Sequence, residues 1–95
     1  MFIERAEFPV IAGKEEELAA ILKDKALAIL AAAPGCASAK AGRGVEDPAK
    51  FILVLEWDRV ESHTDFTKTE EFGEFVSLVR PFFAGASNME HFRIV

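Results

Sequence analysis

Residues 51 to 57 read Phe-Ile-Leu-Val-Leu-Glu-Trp, and only Glu56 interrupts the apolar run. A run this short, rich in β-branched and aromatic residues, reads as a strand; without alternation, neither of its faces is assigned to water. It belongs in the middle of a sheet. One face is to be covered by the chain's own helices, and the other needs equally apolar cover from elsewhere.

The rest of the chain is too small to supply both covers. Ninety-five residues form one domain over 1–95 that buries only roughly 60 to 65% of its unfolded surface. Yet 51% of the residues are hydrophobic, with nine Phe and one Trp, more than a core this size needs. An identical chain that places its own sheet on the bare face uses the surplus, so a homodimer is expected.

Charge narrows the partners further. Sixteen acidic against 11 basic residues give a net charge of −5, with no Lys/Arg cluster to neutralise phosphates, so nucleic acid and anionic membrane are not expected partners. The opening MFIERAEFPV is charged where a secretory signal is apolar, which points to the cytoplasm. Cys36 is the only cysteine, so no internal disulfide forms, and with His63 and His91 the only histidines no metal-ligand spacing is visible. No metal site is expected, and Cys36 reads as a buried, inert thiol.

Elements follow from period and punctuation. Phe2 to Phe8 is a short strand with Phe2, Glu4, Ala6 and Phe8 on one face. Gly13 is a candidate N-cap, with Glu15 to Glu17 in the first turn of a helix running to about Ala33. Its stripe is Leu18, Ile21, Leu22, Ala26, Ile29 and Ala33, with Lys25 laying its stem along it, and Pro34-Gly35 stops it. CASAKAGRG (36–44) reads as a bent or bulged strand, and VEDPAK as a turn before Phe51–Trp57. Asp58 with Glu61, then Thr67 with Glu70, have capping-box spacing, so the second helix starts twice. Phe72, Phe75, Val76 and Val79 make its apolar face, Pro81 ends it, and NMEHFRIV is a last strand with Met89, His91 and Arg93 opposite Phe92 and Ile94. The order βαββαβ predicts a ferredoxin-like α+β fold, a four-stranded antiparallel sheet with both helices on one face.

In order and spacing, the helix opening GKEEELAAIL, the Pro-Gly break, VEDPAKFILVLEW, WDRVESHTDFTKTEEF and the late HF resemble the antibiotic biosynthesis monooxygenase family of dimeric α+β barrels. Members that oxygenate phenols without a cofactor have a Trp at the end of the third strand, a Tyr six residues on, and an Asn four before the Trp. Here those positions are Trp57, His63 and Leu53. The resemblance implies a pocket with Trp57 as aromatic wall and with Leu53 and His63 at the polar positions, where an imidazole can serve as general base. Phe66, Phe72 and Val76 are further candidates for its lining, although Phe66, Phe72 and Phe75 read first as core. It implies a small aromatic or quinol-like substrate and neither metal nor flavin. At the positions that hold haem in haem-degrading relatives stand Ala6, Phe66 and Val76, which can neither ligate nor clamp it.

Plainer roles exist for the same residues. Trp57 can be core filling, and His63 a hydrogen-bonded structural residue on the helix stripe. His91 reads as a surface or dimer contact, with joining Trp57 and His63 from the last strand as the alternative. The function expected is a cofactor-independent monooxygenase; the alternative is a non-catalytic, stress-associated barrel domain that binds a small hydrophobic molecule.

Overall fold

The computed structural model describes residues 1–95. Strand β1 (Phe2–Pro9) leads to helix α1 (Glu15–Ile21), which continues through a π-helical segment (Leu22–Ala26) into α2 (Leu27–Ala31). Strands β2 (Cys36–Arg43) and β3 (Lys50–Trp57) follow, then α3 (Val60–Phe66), α4 (Glu70–Val79), a 3-10 turn (Arg80–Phe82) and β4 (Asn88–Arg93). The strands pair antiparallel in the order β2-β3-β1-β4, the ferredoxin-like arrangement that the element order predicts. No helix is long and apolar enough to cross a membrane.

The core lies between helices and sheet. Phe51, Leu53, Leu55 and Trp57 of β3 and Ala6 and Phe8 of β1 meet Leu18, Leu22, Ala26 and Leu30 from the first rod and Phe66, Phe75 and Val79 from the second. The first rod corrects the expected stripe, since Leu30 is buried where Ile29 was expected, and Lys25 is exposed rather than laid along the stripe. Leu18, Leu22, Ala26 and Leu30 are spaced four apart, which on a 3.6-residue helix drifts about 40° per step. The wider π turn takes up that drift.

The helix starts also differ in detail. Lys14, not Gly13, holds the N-cap position of α1, while the Gly13 N–H donates to Glu15 Oε1 at 2.7 Å. The cap of α4 is Thr69, whose Oγ1 accepts from the Phe72 N–H at 3.2 Å, rather than Thr67. At α3, Asp58 stands one residue before the N-cap Arg59 and accepts from the Arg59 N–H (2.7 Å) and the Ser62 hydroxyl (2.5 Å). That hydroxyl is the main reason the Asp58 carboxyl is held below its ordinary range. Gly35, at φ +87°, packs here, and a Cβ on it would lie 2.5 Å from both Asp58 Oδ1 and Ser62 Oγ. Only glycine lets the end of the first rod close on the start of α3.

The other sheet face carries Ile52 and Val54 of β3, Ile3 of β1 and the half-exposed Phe92 of β4. It is not uniformly apolar. Arg5 pairs with Glu7 (2.6 Å) and Glu90 (3.2 Å), and Lys50 with Glu7 (3.3 Å), so a charged ladder runs through it.

Candidate functional site

The alternation of β1 that buries Ala6 and Phe8 also turns Glu4 toward the helices, where it is only 7% exposed. A carboxylate there needs donors close by. β3 ends at the fully buried Trp57, whose Nε1–H donates to Glu4 Oε1 at 2.9 Å. Helix α3 turns Ser62, His63 and Phe66 inward, and the His63 ring stacks on the indole with centroids 5.3 Å apart and planes at 25°. His63 Nε2 lies 3.2 Å from the same Glu4 oxygen.

β4 completes the cluster. Its register sets His91 opposite Glu4, on the helix side of the sheet, with His91 Nε2 2.8 Å from His63 Nδ1. Burial is the main reason the His63 imidazolium is disfavoured, lowering its pKa from the ordinary value; Glu4 pulls the other way and His91 adds to the lowering. Neutral His63 has one N–H, and because Glu4 can only accept, that proton sits on Nε2. Nδ1 is then the acceptor, filled by His91 Nε2–H, and a directed chain runs from His91 through His63 to Glu4.

Beside this chain lies a cavity of about 200 Å³. Glu4 and His63 stand in its wall with Leu53, Phe72, Val76 and Met89, most of the remaining lining being apolar. Of the residues expected to line a pocket, Leu53, Phe72 and Val76 are therefore brought together with His63. Trp57 and Phe66 are not in this wall. They border a space of about 30 Å³ behind the Glu4–His63 pair, with ring centroids 6.0 Å apart. Phe66 meets Phe72 edge-on at 5.7 Å. Instead of lining the cavity, Trp57 backs the His63 ring and fixes Glu4.

Two members of the cluster were not read as site residues from sequence. Glu4 carried a signal, being a carboxylate on the face of Phe2, Ala6 and Phe8. His91 could join the pair from the last strand but read first as a surface or dimer contact, since alternation gives its face but not its partner across the sheet. Cys36 plays no part: burial raises its thiol pKa, with the Glu4 charge a smaller contribution in the same direction, and its Sγ–H reaches the Ser38 carbonyl at 3.4 Å.

Comparison with known proteins gives the site its context. The model of the antibiotic biosynthesis monooxygenase family matches residues 1–78. The chain is similar to the uncharacterized protein YczJ of Bacillus subtilis (strain 168), 27% identical over 96 residues and covering both chains fully. The crystal structure of a candidate antibiotic biosynthesis monooxygenase from Bordetella bronchiseptica superposes with a TM-score of 0.92 at 29% identity, over 99% of this chain and 96% of that one. One from Nitrosomonas europaea shares the fold, with a TM-score of 0.86 at 14% identity over 100% and 99% of the two chains. With a family model spanning most of its length, the chain belongs to the antibiotic biosynthesis monooxygenase family.

Proposed function

We propose that this chain is a cofactor-independent monooxygenase acting on a small, single-ring phenol or quinol. One observation carries the reading: the buried, hydrogen-bonded pair Glu4–His63 stands in the wall of an otherwise largely apolar cavity. At about 200 Å³ the cavity suits one aromatic ring, since a cavity of about 150 Å³ holds benzene. The family membership and the Bordetella bronchiseptica neighbour support oxygenation as the reaction class.

A phenolic O–H takes the place of His91 at His63 Nδ1 and gives up its proton there. Glu4, already accepting from Nε2–H, stabilises the imidazolium that forms, and Trp57 holds Glu4 in place. The phenolate then passes electrons to oxygen directly. Overall, a phenol with a free ring position and O₂ give a quinone and water: one oxygen atom enters the ring, the other leaves as water, and the substrate supplies all four electrons. Leu53, Phe72 and Val76 keep water from the ring. The test is oxygen uptake across a panel of single-ring phenols and hydroquinones. Saturable uptake above the protein-free rate is expected, and uptake equal to that rate for every compound makes the chain a binding domain.

The working form in this reading is a homodimer joined through the sheet face of Ile3, Ile52, Val54 and Phe92. The charged ladder of Arg5, Glu7, Lys50 and Glu90 on that face sets the register of the two copies. Sedimentation at micromolar concentration is expected to give a dimer; a stable monomer would overturn this. No haem is expected to co-purify, because Ala6, Phe66 and Val76 offer no ligand and the cavity is far smaller than a porphyrin. The check is the absence of a Soret band after gel filtration.

A further inference from the structure

The fold brings together a ligand set that the spacing 4, 63, 91 conceals. Glu4, His63 and His91 each offer a ligand atom, and all of these lie within 4.8 Å of one another. We infer that these three residues form a binding site for a divalent first-row transition ion of the zinc and cobalt class.

Donor chemistry selects the class of ion. Two imidazoles and one carboxylate suit zinc, cobalt, nickel or ferrous iron, whereas magnesium and calcium favour all-oxygen sets. The supporting shell is in place as well. Trp57 Nε1–H fixes the Glu4 carboxylate at 2.9 Å, the kind of outer contact that orients a metal-binding carboxylate. The stacked indole restrains the His63 ring, which presents its Nδ1–Cε1–Nε2 edge to both partners, Nε2 toward Glu4 at 3.2 Å and Nδ1 toward His91 at 2.8 Å. A half-turn about Cβ–Cγ exchanges Nε2 with Cε1 and sets that nitrogen between the other two donors. Burial favours the outcome, because Glu4 and His63 are each 7% exposed and an ion there meets little competing water. His91, exposed on the edge strand β4, gives a route in. Three protein ligands leave at least one coordination position open beside the cavity, the pattern of a reactive rather than a structural site.

An ion held by these atoms and a proton acceptor at His63 exclude each other, so the oxidation proposed above belongs to the metal-free chain. Binding is measured without turnover, and its failure leaves that reading standing. The test titrates Co²⁺ into the full chain and follows its visible d–d bands, with Zn²⁺ measured by displacement of Co²⁺. One ion per chain is expected, with bands of four- or five-coordinate intensity, and no displacement by Mg²⁺. His91→Ala, on an exposed edge position, and Glu4→Gln are each expected to weaken Co²⁺ binding by roughly 10-fold or more with the far-UV spectrum unchanged. Trp57→Phe, which removes the outer contact but no ligand, is expected to weaken it less than either. Octahedral bands alone, or His91→Ala and Glu4→Gln binding as tightly as the parent, show the ion on surface carboxylates and overturn the site.

Discussion

His63→Ala is expected to lower the turnover of a single-ring phenol by roughly 10²-fold, the low end of what a positioned general base contributes. His63 sits in the first turn of α3, so the helix survives and the loss falls on kcat. KM changes little, because Leu53, Phe72 and Val76 still hold the ring. Glu4→Gln keeps an acceptor for the Trp57 N–H but removes the charge that stabilises the imidazolium, so its kcat is expected between those of the parent and His63→Ala. Steady-state oxygen uptake by the three proteins checks the order. Equal rates for His63→Ala and the parent make the imidazole a structural residue.

Trp57→Ala is expected to cost about 4 kcal/mol or more of stability. Removing a buried Trp or Phe side chain costs about 3 to 5 kcal/mol through lost contacts and the cavity left behind, and Trp57 is fully buried. The change also strips a donor from buried Glu4, a further cost of about 1 to 3 kcal/mol for an under-satisfied group. Against a total stability of about 5 to 15 kcal/mol, this variant is at the edge of folding. Trp57→Phe separates the contributions, since it keeps most of the volume and loses the N–H. A cost near 1 to 3 kcal/mol in urea denaturation is expected for it, and a cost near zero means that the indole does not hold Glu4.

Fold and site were legible to different depths. The apolar run Phe51–Trp57, interrupted only by Glu56, required an inner strand, and with the two amphipathic helical stretches it was enough for the ferredoxin-like arrangement. Helix phase was readable in part: Leu18, Leu22, Ala26 and Ala33 are buried as expected, but Leu30 replaces Ile29 and Lys25 turns outward, because the fourfold spacing of Leu18, Leu22, Ala26 and Leu30 is compatible with an ordinary helix until packing widens one turn. The cap at Thr69 was missed for a similar reason: Thr67 and Thr69 are two residues apart, and only the start of α4 decides which of them faces the free N–H groups.

At the site, the sequence could bring Trp57 and His63 to one end of the sheet, because a strand end and the following helix are neighbours along the chain, while Leu53 entered through the family resemblance and Phe72 and Val76 through the apolar face of the second helix. It could not pair Glu4 with His91. That contact depends on the register of β1 against β4, which joins residues 87 positions apart, and alternation gives a residue's face without its neighbour across the sheet. His63 therefore read as a lone base, when both its nitrogens are engaged, one by Glu4 and the other by His91.

The most direct test is turnover of a single-ring phenol under heavy-isotope O₂, with a chelator present and without added flavin or reductant, followed by mass spectrometry of the quinone. One labelled oxygen atom per quinone formed, with product formation falling roughly 10²-fold in His63→Ala, is the predicted result. Product no faster than in buffer alone, or a quinone without label, would contradict an oxygenase whose only catalytic groups are those of the chain.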